Sequence, residues 1–377
     1  MSTSRLRPRS RPRSSFSLKT TLTAAAAAAL TCSILLLPHQ AQAWNTDIHN
    51  QIGFMAESFL TPYTARVLAR ILAGDEPQYQ LLYNGSIGRA AAWADAFAHT
   101  DEGAYSYQWH WIDSADNPPA YCNVYYNRDC TRGGCVVHAI ANQTVRLAQC
   151  VDAIKRGDRL LPRLGDSSPG EDEEGVDIDV GVECARALKW VVHFIGDIAQ
   201  PLHASGAAAG GNGYAVVFNG SETNLHSVWD GSIIYSLAQT PRFSNLSIDP
   251  FFSDLVSRIR EDTFPEPVAS WAACTDPSTP IECALRWARE SNRWTCDYVF
   301  SQVFNGTAAP DGNGTVVDLM TSGYAAGAYP IVEMQVAKAA VRLGVWLNRV
   351  VEGEYKSDRE VVLRTNPSWI GGPNGGS

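Results

Sequence analysis

The sequence predicts an all-α fold: a single compact multi-helix domain with one small β-hairpin. Three observations predict it. Apolar residues recur at helical spacing over three long stretches, strand signals are sparse, and no linker divides the chain between them. The chain has 377 residues, 45% of them hydrophobic, enough for a large core in an ordinary globular protein.

Taken in order, the chain opens on a leader. Arg5, Arg7, Arg9, Arg11, Arg13 and Lys19 form a basic region, an apolar stretch runs from Leu22 to Leu37, and Ala41-Gln42-Ala43 fits a small-residue cleavage site. This reads as a secretory signal peptide over residues 1–43, with Trp44 first in the mature chain. The alternative is a membrane anchor, but the run is only about 16 residues, short for a spanning helix. No later segment is long and apolar enough to span, so no stable membrane association is expected.

Residues Ile48 to Gly74 carry helical spacing through Ile52, Phe54, Met55, Phe59, Ala65, Leu68 and Leu72. Cys184 to Ala199 repeats it through Ala187, Leu188, Val191, Val192, Phe194 and Ile195, and Val332 to Val350 through Val336, Ala339, Ala340, Leu343 and Leu347. Tyr214 to Phe218, between Gly213 and Gly220, reads as one arm of a hairpin. Gly157 to Asp179 is rich in Gly, Pro and acid and reads as a solvated surface insertion, since it lacks the spaced ligands of a calcium loop. The domain is therefore expected over 44–364, with a disordered Gly/Pro-rich tail over 365–377.

The cysteines agree with export. Cys32 would leave with the leader, and Cys122, Cys130, Cys135, Cys150, Cys184, Cys274, Cys283 and Cys296 remain as an even set suited to an oxidising compartment. Proximity alone suggests Cys130–Cys135 and Cys274–Cys283 as short clips. Sequons at Asn84, Asn142, Asn219, Asn245, Asn305 and Asn313 are candidates for N-glycans, whereas Asn366 precedes proline and drops out. A secreted, extracellular glycoprotein is expected. The net charge of −9 argues against a broad basic surface for nucleic acid, but not against an enzyme that grips phosphates through metal ions.

Two pairs share one spacing: His193 with Asp197, and His226 with Asp230. Four residues apart on a helix puts both side chains on one face, about 5–6 Å apart at Cβ, so one ion can accept both. His203 lies past Pro201 and can approach from a loop. One such pair is equally the pattern of a buried histidine bonded to a core aspartate. Two pairs with a third imidazole favour zinc, which takes imidazole and carboxylate ligands. Asp95, His110 and His49 add further ligand types.

In these residues the sequence resembles the zinc-dependent single-strand nucleases of fungi and plants, of the S-one and P-one type. The matching stretches include Trp44-Asn45-Thr46-Asp47-Ile48-His49, Trp93-Ala94-Asp95, His110-Trp111-Ile112-Asp113 and Asp116-Asn117-Pro118-Pro119. They continue through Cys122-Asn123-Val124, Ala139-Ile140-Ala141-Asn142, His193-Phe194-Ile195-Gly196-Asp197, Gln200-Pro201-Leu202-His203 and Gly210-Gly211-Asn212. Asn224-Leu225-His226-Ser227, Trp229-Asp230 and Gln335-Val336-Ala337-Lys338 complete the set, which spans nearly the whole mature chain.

The resemblance implies the phospholipase C/P-one nuclease type of helical fold and three zinc ions. It assigns Asp95, His110, His193 and Asp197 to one ion, and His203, His226 and Asp230 to a second. The third would take the amino nitrogen and carbonyl oxygen of Trp44, with His49 and a bridging Asp197. It implies an endonuclease that cuts single-stranded DNA and RNA to 5′-phosphates and acts on 3′-nucleotides, with Asp95 and Asp197 in catalytic roles and Trp111 and Asp113 holding the base. For Trp111 alone, a core tryptophan is the alternative. Some members carry an arginine three residues after the Asp95-type ligand; here Ala98 stands there, followed by His99, which points to lower turnover or an acidic optimum. The insertion between Cys150 and Cys184 is longer than usual, and we infer that these cysteines pair at its base. A monomer is expected. The rival readings are a zinc phospholipase C, which shares the scaffold, and a secreted zinc glycoprotein without catalysis.

Overall fold

Capping residues set where the first helices begin. Asn45 accepts the Ile48 N–H at 3.2 Å to open α1 (Thr46–Glu57), and Thr61 accepts the Thr64 N–H at 3.0 Å to open α2 (Pro62–Leu72). The stretch expected as one helix from Ile48 to Gly74 is thus two. Pro62 has no N–H to give and its ring clashes with a preceding helical carbonyl, so it serves as the first residue of a new helix.

The structure is a computed structural model that describes residues 44–131, 133–157, 180–243, 247–302 and 318–353. The leader, nearly all of the acidic insertion, the tail and the sequons at Asn245, Asn305 and Asn313 lie outside the described residues. Short helices follow: α3 (Pro77–Tyr83), α4 (Ile87–Ala90), α5 (Trp93–Ala98), a 3-10 helix (Ala104–His110) and α6 (Tyr126–Asp129). The long α7 (Val136–Arg156) and α8 (Val180–Asp197) come next, then a second 3-10 helix (Pro201–Ala204).

The hairpin pairs β1 (Ala215–Phe218) with β2 (Ser221–Asn224), from Ala215 opposite Asn224 to Phe218 opposite Ser221. Its turn is Asn219-Gly220, both at positive φ, as a tight hairpin requires. After it, α9 (Leu225–Ser227) runs through a π-turn (Val228–Ser232) into α10 (Ile233–Ala238). The chain then forms α11 (Asp249–Arg260), α12 (Val268–Trp271), α13 (Pro280–Trp294), a second π-turn (Thr295–Val299), α14 (Phe300–Gln302) and α15 (Tyr324–Glu352). All these belong to one compact all-α unit, and the hairpin is the only sheet among the described residues.

Helix α8 is the axis of the fold. From Ala187 to Asp197 every residue is buried, and it packs against α7, α2, α5 and α15. One apolar cluster gathers around α2, α7, α8 and the second half of α15; another gathers α1, α10, α11 and the first half of α15. The expected disulfides Cys130–Cys135, Cys274–Cys283 and Cys150–Cys184 are formed, the last tying α7 to α8, and Cys122–Cys296 closes a separation of 174 residues. No described helix is long and apolar enough to cross a membrane.

Candidate metal centre

Helical spacing places Lys189, His193 and Asp197 on one face of α8. His193 Nε2 lies 3.2 Å from Asp197 Oδ2 at the carboxyl end of that helix, where the backbone dipole adds negative potential. Helix α5 brings Asp95, and the last residue of the first 3-10 helix brings His110. Asp95 Oδ1 is then 3.5 Å from His110 Nδ1 and 3.3 Å from His193 Nε2. His110 Nδ1 lies 3.1 Å from both His193 Nε2 and Asp197 Oδ2. A tetrahedral zinc with bonds of about 2.0–2.1 Å needs ligand atoms about 3.3 Å apart. The spacings among Asp95, His110 and His193, and those from Asp197 to the two imidazoles, meet that requirement.

Asp197 turns its other oxygen the opposite way. Oδ1 is 3.1 Å from Nε2 of His49, which α1 delivers with its ring stacked on His193 at 3.8 Å. Gly196 makes this approach possible, since a Cβ there would stand 3.0 Å from His49 Nδ1. Neither Asp197 Oδ1 nor His49 Nε2 has a hydrogen-bond partner although both are buried. Close spacing without hydrogen-bond geometry is what two ligands of one ion show.

The third group forms around the second 3-10 helix and the π-turn. His226 Nε2 is 3.3 Å from Asp230 Oδ2, and His203 Nε2 is 3.9 Å from Asp230 Oδ1. The His226–Asp230 pair spans the step from α9 into a widened π-turn, not the regular helix that its spacing suggests. Three groups able to hold an ion result: His49, His193 and Asp197; Asp95, His110 and His193; and His203, His226 and Asp230, all buried.

Backbone carbonyls fix the rings. His193 Nδ1–H donates to Ala91 O at 2.7 Å, His203 Nδ1–H to His110 O at 2.8 Å, and His226 Nδ1–H to Gly210 O at 2.5 Å. Each bond engages Nδ1 and aims Nε2 inward, the arrangement typical of a metal-ligating histidine. Gly210 reaches this place at φ +61°, with Leu202 O only 3.1 Å from where a Cβ would stand. One further inward-facing atom, His203 Nε2, also lacks a hydrogen-bond partner although it is buried.

Burial and mutual charge set the titration of the cluster. Burial, then the charge of His193, lowers His49 to about 4; burial, then the charge of His203, lowers His226 to about 3. Burial pushes Asp230 well above the usual carboxylate range, opposed by a hydrogen bond from Gln200. Burial works against charge at His193 and Asp197 too, yet their mutual attraction carries His193 well up and Asp197 well down.

The remaining predicted residues lie around this cluster. Trp44 is buried and its indole donates to Gly196 O at 3.0 Å, while Asn45 N–H donates to Asp230 O at 3.1 Å, pinning the segment beside both groups. Trp111 is half-buried with its indole donating to exposed Asp113 at 3.1 Å, and Tyr107 packs edge-on against it at 5.1 Å. Ala98 is buried in α5, so no cation stands at that position; His99 Nδ1 lies 2.7 Å from Asp95 O, and its ring meets Tyr107 edge-on. Sequence reasoning gave no role to Gln200 or Gly210, although both fall within motifs it quoted; their contacts appear only once distant segments meet.

Comparison with known proteins extends this geometry. A family model described as S1/P1 Nuclease matches residues 44–352. The chain is 32% identical over 322 residues to Nuclease S1 of Aspergillus oryzae, covering 85% of this chain and 96% of that protein. It is 31% identical over 311 residues to Nuclease P1 of Penicillium citrinum, covering 81% and 97%. It is 28% identical over 334 residues to Endonuclease 3 of Arabidopsis thaliana, covering 87% and 96%.

Proposed function

The chain belongs to the S1/P1 nuclease family, and on that premise we propose that it is a secreted, zinc-dependent endonuclease. It hydrolyses phosphodiester bonds of single-stranded DNA and RNA to 5′-phosphate products and acts as a 3′-nucleotidase. The observation that carries the reading is the set of buried ligand atoms, spaced at 3.1–3.5 Å, with Asp197 offering one oxygen to each of two groups.

The donor set fits zinc: buried imidazoles and carboxylates, with His49 Nε2, Asp197 Oδ1 and His203 Nε2 lacking hydrogen-bond partners. Asp95, His110, His193 and Asp197 would hold one ion; His203, His226 and Asp230 a second; and His49, Asp197 and the amino terminus of Trp44 a third. Zinc held there supplies Lewis-acid charge that acidifies water and neutralises developing negative charge.

The chain's own residues do the rest. Asp95 commits Oδ1 to the cluster and keeps Oδ2 as a free buried acceptor, placed to orient the attacking water. Asp197 holds two groups in register through its two oxygens. Trp111 stacks an unpaired base, and Asp113, oriented by the Trp111 indole, accepts from the edge of that base. A base held on an aromatic ring must leave its duplex, which favours single strands. Ala98 leaves charge neutralisation to the metal centre. Cleavage after Ala43 frees the amine of Trp44, so leader removal completes the third group.

Expressing the chain with its leader, sequencing the mature terminus and counting bound zinc tests this reading. The expected result is a terminus at Trp44, three zincs per chain, and hydrolysis of single-stranded DNA and of 3′-nucleotides. Hydrolysis of phosphatidylcholine, with none of single-stranded DNA or 3′-nucleotides, would replace the reading with a phospholipase.

A further inference from the structure

Asp230 is buried, and one of its oxygens is already occupied. Gln200, itself fully buried, donates Nε2–H to Asp230 Oδ1 at 2.7 Å. Its Oε1 accepts the Leu202 N–H at 2.6 Å, which fixes the orientation of the amide so that nitrogen, not oxygen, faces the carboxylate. Asp230 Oδ2 is left facing His226 Nε2 at 3.3 Å.

The turn that carries Gln200 is held from outside the site. Ser291 on α13 donates to Ile198 O at 2.6 Å, and Gln335 on α15 donates to Ala199 O at 2.6 Å and to Ser291 Oγ at 3.0 Å. Within the turn, Gln200 N–H donates to Asp197 O at 2.9 Å, and His203 N–H donates to Gln200 O at 3.1 Å. Each carbonyl from Ile198 to Gln200 therefore has a donor, and Gln200 touches Asp197, His203 and Asp230 at once. Both turn contacts from α13 and α15 are side-chain bonds made in the dry interior, where losing one leaves a carbonyl unpaired.

We propose that Gln200 is the positioning residue of the His203/His226/Asp230 group. It reserves Oδ1 of Asp230 for itself so that the carboxylate offers a metal ion Oδ2 alone, and Gln335 and Ser291 hold it in that place. This rests on the metal reading above. It also gives the Gln335 motif near the end of the chain a purpose that ligand counting does not reveal.

The test compares wild type, Gln200→Glu and Gln200→Met by zinc titration of metal-free protein in a calorimeter. Gln200→Met removes the amide and with it the bond to Asp230, whereas Gln200→Glu keeps an acceptor for Leu202 N–H and sets a carboxyl against Asp230 in place of the donor. One of the three binding events is expected to weaken about 10–100-fold in Gln200→Met and to depart from wild type in Gln200→Glu, the other two staying as in wild type. Unchanged affinities in the folded variants overturn the proposal. Equal weakening of all three events, with a lower melting temperature of the metal-free protein, also overturns it, because that marks a general structural role. If the variants do not fold, a crystal structure of zinc-loaded wild type decides: coordination through Oδ2 alone supports the proposal, and bidentate coordination overturns it. A wild type that takes up no zinc at all would instead sink the metal reading on which it stands.

Discussion

The two His-x-x-x-Asp pairs share a spacing but stand on different backbones. His193 and Asp197 lie on α8, a regular helix buried on every side, and their 3.2 Å separation follows from local geometry. His226 and Asp230 lie across a π-turn, and their 3.3 Å separation is maintained by groups far away in sequence: Gly210 O on the imidazole and Gln200 on the carboxylate. The comparison teaches that one ligand spacing can be met by a rigid rod or by an irregular turn under outside control. The α8 group should therefore answer to what supports the helix, and the turn group to single contacts.

The largest effect is expected from Asp197→Asn. Because each oxygen of Asp197 faces a different group, the substitution should disturb both groups built on α8 and nearly abolish hydrolysis of single-stranded DNA. Asp230→Asn should disturb only the turn group and leave the other bound metal in place. Metal counts on the two variants check this, and substantial residual activity in Asp197→Asn would break the comparison at its root.

Next comes the support of α8. One turn before His193, Lys189 is buried; its ammonium pairs with Asp75 at 2.7 Å and lies over the Trp93 ring at 3.9 Å. Lys189→Met should cost about 3–5 kcal/mol of stability by leaving Asp75 buried without its partner. Burial lowers Lys189 to about 8, against the pull of Asp75. Between pH about 8 and the ordinary lysine value of about 10.4, the unfolded chain holds a proton that the folded chain has released. Wild-type stability should thus rise with pH across that window relative to Lys189→Met. Denaturant melts of both proteins at several pH values measure the difference; parallel curves would refute it.

Trp111→Ala tests the mouth of the site rather than its floor. Loss of stacking should weaken substrate binding by about 1–3 kcal/mol, seen as a raised KM for single-stranded DNA with the metal count unchanged. The smallest effect belongs to the turn group. Gly210→Ala places a side chain at φ +61° and should cost about 1–2 kcal/mol in strain, with weaker metal binding at that group alone. Equal loss at the α8 groups would show that the two halves are not separately built.

Much of the helical fold was legible because amphipathic spacing is a local property. The three long apolar stretches appear as α1 with α2, α8 and α15, and the Asn219-Gly220 turn marks the hairpin. The break at Pro62 was not read, because apolar spacing continues through it and reads as one helix. At the site, the residue types and the α8 pair could be read directly. The π-turn could not, because one widened turn of five residues leaves no periodic signature in the sequence.

By itself the sequence determined the side-chain chemistry: imidazoles and carboxylates at spacings that one helix face can present, and cysteines paired by proximity at Cys130–Cys135 and Cys274–Cys283. Only the tertiary structure decided how these meet. Asp197 faces two groups because α1 lays His49 against Gly196 while α5 and a 3-10 helix bring Asp95 and His110 to its other side. Asp230 has one oxygen free because Gln200 takes the other, from a turn held by α13 and α15. The physical reason is range. Periodicity along one helix is fixed by backbone geometry, whereas the direction of each lone pair depends on buried donors and acceptors that folding brings together from distant parts of the chain.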